Sequence, residues 1–137
     1  MKNRSELRDI AIKVLYQVYI LKNTKVSFDI DVLIKEQLEI ENEFVKNLVH
    51  GVVNEQKRIS ELANKYLKDW TIDRLSKVDK AVLSLGIYEL LYTDTPSIVC
   101  INETIELAKK YSDLEVVKMI NATMDAIYHQ EDLNGKE

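Results

Sequence analysis

The stretch Ser76–Tyr92, SKVDKAVLSLGIYELLY, is apolar nearly all the way round when wound as a helix. Val78, Ala81, Val82, Leu85 and Tyr88 form one stripe, while Leu83, Ile87, Leu90 and Leu91 cover much of the remainder. A helix without a continuous polar face is buried on most sides, so the other segments must be arranged to cover it. Ser76 with Asp79 three residues on is a capping-box pattern for its start. Thr93-Asp94-Thr95-Pro96 ends it, because the single proline restricts the residue before it and cannot continue a hydrogen-bonded helix. At roughly 25 Å long, such a helix crosses a small domain.

A chain of 137 residues is long enough for one domain with a real core. Three Gly and one Pro leave few sites for tight hairpins, and helical spacing recurs throughout, so the expected fold is all-α, a compact bundle of about seven helices. The first helix is predicted from Asn3 or Ser5 to about Ile20, with Leu7, Ile10, Ala11, Val14, Leu15 and Val18 in the core. A short acidic helix opens at Ser27 with Phe28, Val32, Leu33 and Leu38 inward, and a longer one runs from Asn42 to about Leu67. Gly51 in its middle predicts a bend or a close helix contact. Asp69-Trp70-Thr71 breaks the pattern, and a single turn follows over Ile72–Leu75. Beyond Pro96 a helix places Ile98, Ile101, Ile105 and Ala108 on one face. Ser112 and Glu115 form another capping-box pattern, opening a last helix along Val116, Ile120, Thr123 and Ile127.

Net charge is −4, which argues against a strong nucleic-acid binder, but the charge is unevenly distributed. Over residues 1–26, Lys2, Arg4, Arg8, Lys13, Lys22 and Lys25 outnumber Glu6 and Asp9, whereas residues 27–43 set Lys35 against a run of Asp and Glu. That asymmetry suits separate surfaces for an anionic and a cationic partner, and equally suits ordinary solvated helix faces. On a helical wheel Arg4 and Arg8 lie one turn apart beside the apolar stripe, with Ile12, Lys13 and Tyr16 further round on the wetter side. A tyrosine among cations is how single-stranded RNA is commonly held, by base stacking and phosphate contact; a partly buried tyrosine on a charged helix is the plainer alternative.

The lone Cys100 excludes an internal disulfide and reads as a small core residue. No apolar run approaches a bilayer-spanning length, and MKNRSELRD has no apolar segment behind its charges, so a cytoplasmic protein is expected. No glycine-rich phosphate loop, dinucleotide fingerprint or metal cluster is present, and His50 has no second histidine at ligand spacing. Glu103 and Glu106 invite comparison with a di-iron bundle, but those sites use Glu-x-x-His, so surface solvation or partner contact fits better. No cofactor, no metal and no enzymatic activity are expected.

The run DRLSKVDKAVLSLGIYELLY, then the proline, then VCINETIELAKKY and MINATMDAIY, resembles the bacterial transcription antitermination factor NusB family. RSELRDIAIKVLYQ is similar to that family's Arg-containing first helix, and FVKNLVHGVV to its third, so the resemblance runs collinearly over almost the whole chain. It implies two small helical subdomains, here 1–70 and 71–128 with a flexible tail 129–137, and binding of the boxA element of ribosomal RNA operon transcripts. It also implies partnership with the ribosomal protein NusE in an antitermination complex on RNA polymerase. Carried over to this sequence, Arg4, Arg8, Tyr16, Lys118 and Met119 are the expected RNA contacts, to which the basic N-terminal stretch adds Lys2 and Lys13. Charge complementarity and the same resemblance make Asp79, Glu89, Glu103 and Glu106 the expected contacts for a basic ribosomal protein. Ser5 and Glu6 interrupt the family's arginine cluster, Ser84 stands where many members have arginine, and Met119 where many have phenylalanine. Fewer cations and one ring fewer predict weak RNA binding that relies on the partner. Two other readings share the helical pattern: a domain like that at the N-terminus of certain RNA cytosine methyltransferases, and a protein interaction module without an RNA role. The first is set aside on the expectation that no methyltransferase domain follows Glu137.

Overall fold

The computed structural model describes residues 2–133 and 136. Six α-helices follow one another: α1 (Arg4–Lys22), α2 (Ile30–Gln37), α3 (Glu43–Tyr66), α4 (Lys77–Tyr92), α5 (Ser97–Tyr111) and α6 (Leu114–Gln130). A 3₁₀ turn, Ile72–Arg74, precedes α4 and accounts for the difference from about seven helices. No strand occurs among the described residues.

Local chemistry sets the helix starts. Asn3 caps α1 by accepting from the Glu6 N–H at 2.8 Å, and the Glu6 carboxylate accepts from the Asn3 N–H at 3.0 Å, a reciprocal box. Asn42 caps α3 through the Val45 N–H. Only half of the predicted box at α4 forms: Ser76 Oγ accepts from the Asp79 N–H at 3.2 Å, while the Asp79 carboxylate turns away to accept from Ser112 Oγ. Ser112 therefore ends α5 rather than opening α6. Asp113, one residue on, is the N-cap of α6, bonding the Val116 N–H at 3.0 Å. Likewise Asp29, not Ser27, caps α2, and this later start turns Val32 outward and Ile34 inward.

The α4 helix is central. Ala81 to Ile87 and Leu90 are all buried, and α1, α3, α5 and α6 pack around them. Leu83, Leu85, Ile87 and Leu90 are each worth about 1.5–3 kcal/mol if fully removed from water. Two glycines permit the close crossings. A Cβ on Gly51 would overlap the Tyr88 ring where α3 meets α4, and one on Gly86 would come within 2.7 Å of Thr104 Cγ2 on α5. On α5 the buried line is Cys100, Thr104 and Ala108, so the expected face is rotated by one position and Ile98 is exposed.

Beyond α6, Leu133 is buried, and Lys136 Nζ donates to the carbonyls of Glu89 and Leu90 at 2.6 and 3.1 Å. Of the tail expected to be flexible, residues 134, 135 and 137 lie outside the described residues.

Candidate nucleic-acid interface

The outer side of α1 borders two different grooves in succession. Its second half, with Lys13, Tyr16 and Gln17, lines an aromatic groove completed by Gln37, Val78 and Tyr111. Tyr16 is 42% exposed, and Lys13 keeps only a 4.0 Å contact with Asp9, so both a ring face and an ammonium are available. Gln17 Oε1 is buried without a donor among the described residues, leaving a carbonyl oxygen that a base's exocyclic amine could satisfy. Ile12 is fully buried rather than on the wet side, and lies at the groove that Gln37 of α2 and Val78 of α4 also line.

The first half of α1 borders an acidic groove. Ser5, Glu6 and Asp9 face Glu103, Glu106 and Lys110 of α5 across it. Glu106 is well exposed and paired with Lys109 at 3.2 Å, whereas Glu103 is partly covered and accepts from Ser5 Oγ. Glu6 and Asp9 join Glu103 and Glu106 here, an extension that no spacing in the sequence signals because it depends on how α1 crosses α5.

Asp9 ties the two grooves together. Its carboxylate accepts from Lys110 Nζ at 2.5 Å and from the Tyr111 hydroxyl, so one residue orients a cation of the acidic groove and a ring of the aromatic one. Burial pushes the Asp9 carboxyl up, but the bonds from Lys110 and Tyr111 and the nearby ammonium charges outweigh it and hold it below the ordinary aspartate value. Burial and the bond to Asp9 push the Tyr111 phenol well above its usual value, so it stays a donor at physiological pH.

The remaining sequence-predicted residues fall elsewhere. Lys2 is exposed ahead of α1, and the Arg4 guanidinium lies 4.4 Å from the Phe44 ring centroid on another side of the helix. Arg8 is only 3% exposed. Its guanidinium makes a fork to Glu89 at 2.5 and 2.9 Å and a third bond to Glu103 at 2.9 Å. Burial lowers its pKa, yet the Glu89 bond and the two carboxylate charges raise it above the ordinary arginine value. Arg8 and Glu89 are therefore spent on each other inside the fold, and Asp79 is likewise buried against Ser112. Lys118 and Met119 lie together on a third groove, between α6 and the end of α3, that also carries Lys65, Tyr66 and Lys68. Ser84 is wholly buried and accepts from Gln56 Nε2 at 3.1 Å, so in this chain the position serves the core.

Fold and surface together define a small helical scaffold that presents an aromatic groove with a half-exposed lysine beside an acidic one. Among the described residues no helix is long and apolar enough to cross a membrane, and no group of three or more His, Cys, Asp or Glu is placed to hold a metal ion.

The chain belongs to the NusB family, whose profile matches residues 5–129. It is 37% identical over 127 residues to a transcription antitermination protein NusB from Macrococcus caseolyticus, covering 91% of this chain and 95% of that one. Among solved structures, T. maritima NusB superposes with a TM-score of 0.80 at 30% identity, over 94% of this chain and 92% of that one. A chain from a crystal structure of the antitermination factors NusB and NusE in complex with dsRNA superposes with a TM-score of 0.76 at 30% identity, over 92% and 96%.

Proposed function

We propose that this protein works in transcription antitermination as a non-catalytic adaptor that binds boxA RNA of ribosomal RNA operon transcripts jointly with NusE. It acts within the antitermination complex on RNA polymerase, in the cytoplasm. The observation that carries the reading is the adjacency of the two grooves on α1, one suited to bases and phosphates and the other to a basic protein. A NusB chain of the same fold has been crystallised with NusE and dsRNA, which supports an RNA and a NusE partner for this chain.

In this arrangement Tyr16 stacks on a base and Lys13 meets a phosphate, contacts whose value depends on excluding water from the groove. Lys2 and Arg4 contribute from the N-terminal side, and Lys118 and Met119 from the third groove. Glu103 and Glu106, with Glu6 and Asp9, receive the basic partner. Arg8, Glu89 and Asp79 act from inside, as positioning residues that fix α1 against α4 and α5.

The test is fluorescence anisotropy of a labelled boxA RNA titrated with this protein, with and without NusE, at two salt concentrations. Tighter, salt-sensitive binding with NusE is expected, weakened by Tyr16→Ala and by Lys13→Ala. Equal affinity for boxA and a scrambled RNA under every condition would overturn the reading and leave a protein-only interaction module.

A further inference from the structure

Apart from Lys13 and the tyrosine hydroxyls, the polar side chains lining the aromatic groove are two primary amides, Gln17 of α1 and Gln37 of α2, and no carboxylate lines it. Neither amide makes a hydrogen bond among the described residues. Gln37 is exposed, so water satisfies it. Gln17 differs, because its Oε1 is buried without a donor, and an unpaired buried carbonyl keeps its desolvation penalty. The residue as a whole is only partly covered, and the last torsion of a glutamine is broad, so a rotation about it turns the amide edge into the groove. Around it lie Ile12, Val78, the Tyr16 ring and the Tyr111 ring, whose hydroxyl is committed to Asp9. The groove, about 440 Å³ in volume, therefore combines apolar and aromatic walls with one acceptor that lacks a donor.

We propose that Gln17 reads the base that stacks on Tyr16, so that the groove selects adenine or cytosine over uracil and guanine. The inference rests on the RNA-binding reading above and goes beyond it: stacking and phosphate contact accept any base, whereas an amide in the groove chooses among them. A primary amide presents an acceptor and a donor side by side. Adenine and cytosine answer it with an exocyclic amine next to a ring nitrogen lone pair, on an edge that an unstacked base leaves open. Guanine offers two donors on one edge and two acceptors on the other, so one half of the amide is always opposed. Uracil has no amine, and its ring N–H is recessed between two carbonyl oxygens that meet the Oε1 lone pairs first. A buried acceptor left unpaired rejects such a base more strongly than apolar contact alone could.

The test is fluorescence anisotropy of labelled boxA RNAs in which each adenine and cytosine in turn is replaced by the analogue lacking only its exocyclic amine, titrated with the full chain in the presence of NusE. At one position the loss of the amine is expected to weaken binding about tenfold, and uracil placed there should do the same. Gln17→Met, which keeps the length of the side chain without its amide, should bind the parent RNA about tenfold more weakly and no longer distinguish it from the analogue at that position. Gln17→Ala repeats the comparison should Gln17→Met melt early by circular dichroism. A merely structural role for Gln17 would weaken all the RNAs by the same factor and leave the base preference in place. That result, or the absence of any position sensitive to its amine, would overturn this inference while leaving the boxA reading intact. Equal binding of boxA and a scrambled RNA would defeat the boxA reading itself, and this inference with it.

Discussion

Removing the Arg8 side chain separates a structural role from a surface one. Arg8→Ala deletes both arms of the fork to Glu89 and the bond to Glu103, leaving a carboxylate whose side chain is 3% exposed without its cation. Breaking a buried pair from one side costs about 3–5 kcal/mol, because the surviving charge keeps its desolvation penalty and loses its compensation. For a chain of this length that corresponds to a fall in Tm of roughly 10–15 °C. Removing both buried partners is a different perturbation: Arg8→Met with Glu89→Leu fills similar volume and leaves only the partly exposed Glu103 without its cation, so it should recover most of the loss. A double-mutant cycle of Arg8→Ala and Glu89→Ala, read by urea and thermal unfolding, then isolates the coupling. Arg4→Ala is the matched control, since that guanidinium is exposed on Phe44 and should hardly change stability. An Arg8→Ala protein melting within about 2 °C of the unmodified one would refute the reasoning and return Arg8 to the surface as a direct RNA ligand.

Leu85→Ala, at a site 2% exposed in the central helix, should cost about 2–5 kcal/mol by chemical denaturation. Gly51→Ala should destabilise by about 1–3 kcal/mol, because its Cβ meets the Tyr88 ring, and Tyr88→Ala in the same chain should offset part of that specific clash in a double-mutant cycle. Asp9 supplies the pH dependence. Its folded pKa lies below the unfolded aspartate value of 3.8, so its contribution is complete above that value and is lost as pH falls through the folded one. Acid unfolding followed by circular dichroism should therefore be shallower below about pH 4 in Asp9→Asn than in the unmodified protein, which also lacks the Lys110 ion pair once protonated.

The fold was legible wherever apolar periodicity and capping chemistry were unopposed. The burial of α4 follows from its lack of a polar face, and the starts of α1 and α3 from Asn3 and Asn42. Errors arose where two adjacent residues could serve equally: Asp113 wins over Ser112 because Ser112 is engaged by Asp79, a bond across 33 residues that no local pattern encodes. The placement of Lys13 and Tyr16 on one groove was readable from helical spacing. The burial of Arg8 was not, because a charged residue beside an apolar stripe reads as solvated unless its partner is known, and Glu89 lies 81 residues away. In the sequence Trp70 shows only as a break in a helical pattern, since exposure of an aromatic depends on what the fold fails to place over it.

A chain with net charge −4 can still hold an anion if its charges are separated on the scale over which salt screens them. Along α1 the two grooves are centred about eight residues apart, roughly 12 Å of helix and beyond the ~8 Å Debye length near physiological ionic strength, with Asp9 alone standing at their boundary. At that spacing Glu6, Glu103 and Glu106 repel an incoming phosphate only weakly, and the nearer Asp9 carboxylate is already paired with Lys110, so neutralising the acidic groove from a distance brings only a modest gain. On the proposed arrangement, a basic partner seated on Glu103 and Glu106 would therefore strengthen RNA binding chiefly by what it presents to the RNA itself. The Asp9 carboxylate, bonded to Lys110 on one side and Tyr111 on the other, is the rigid joint that would keep the two partners in register. Because any coupling of this kind is reciprocal, the RNA must tighten the protein partner by the same factor.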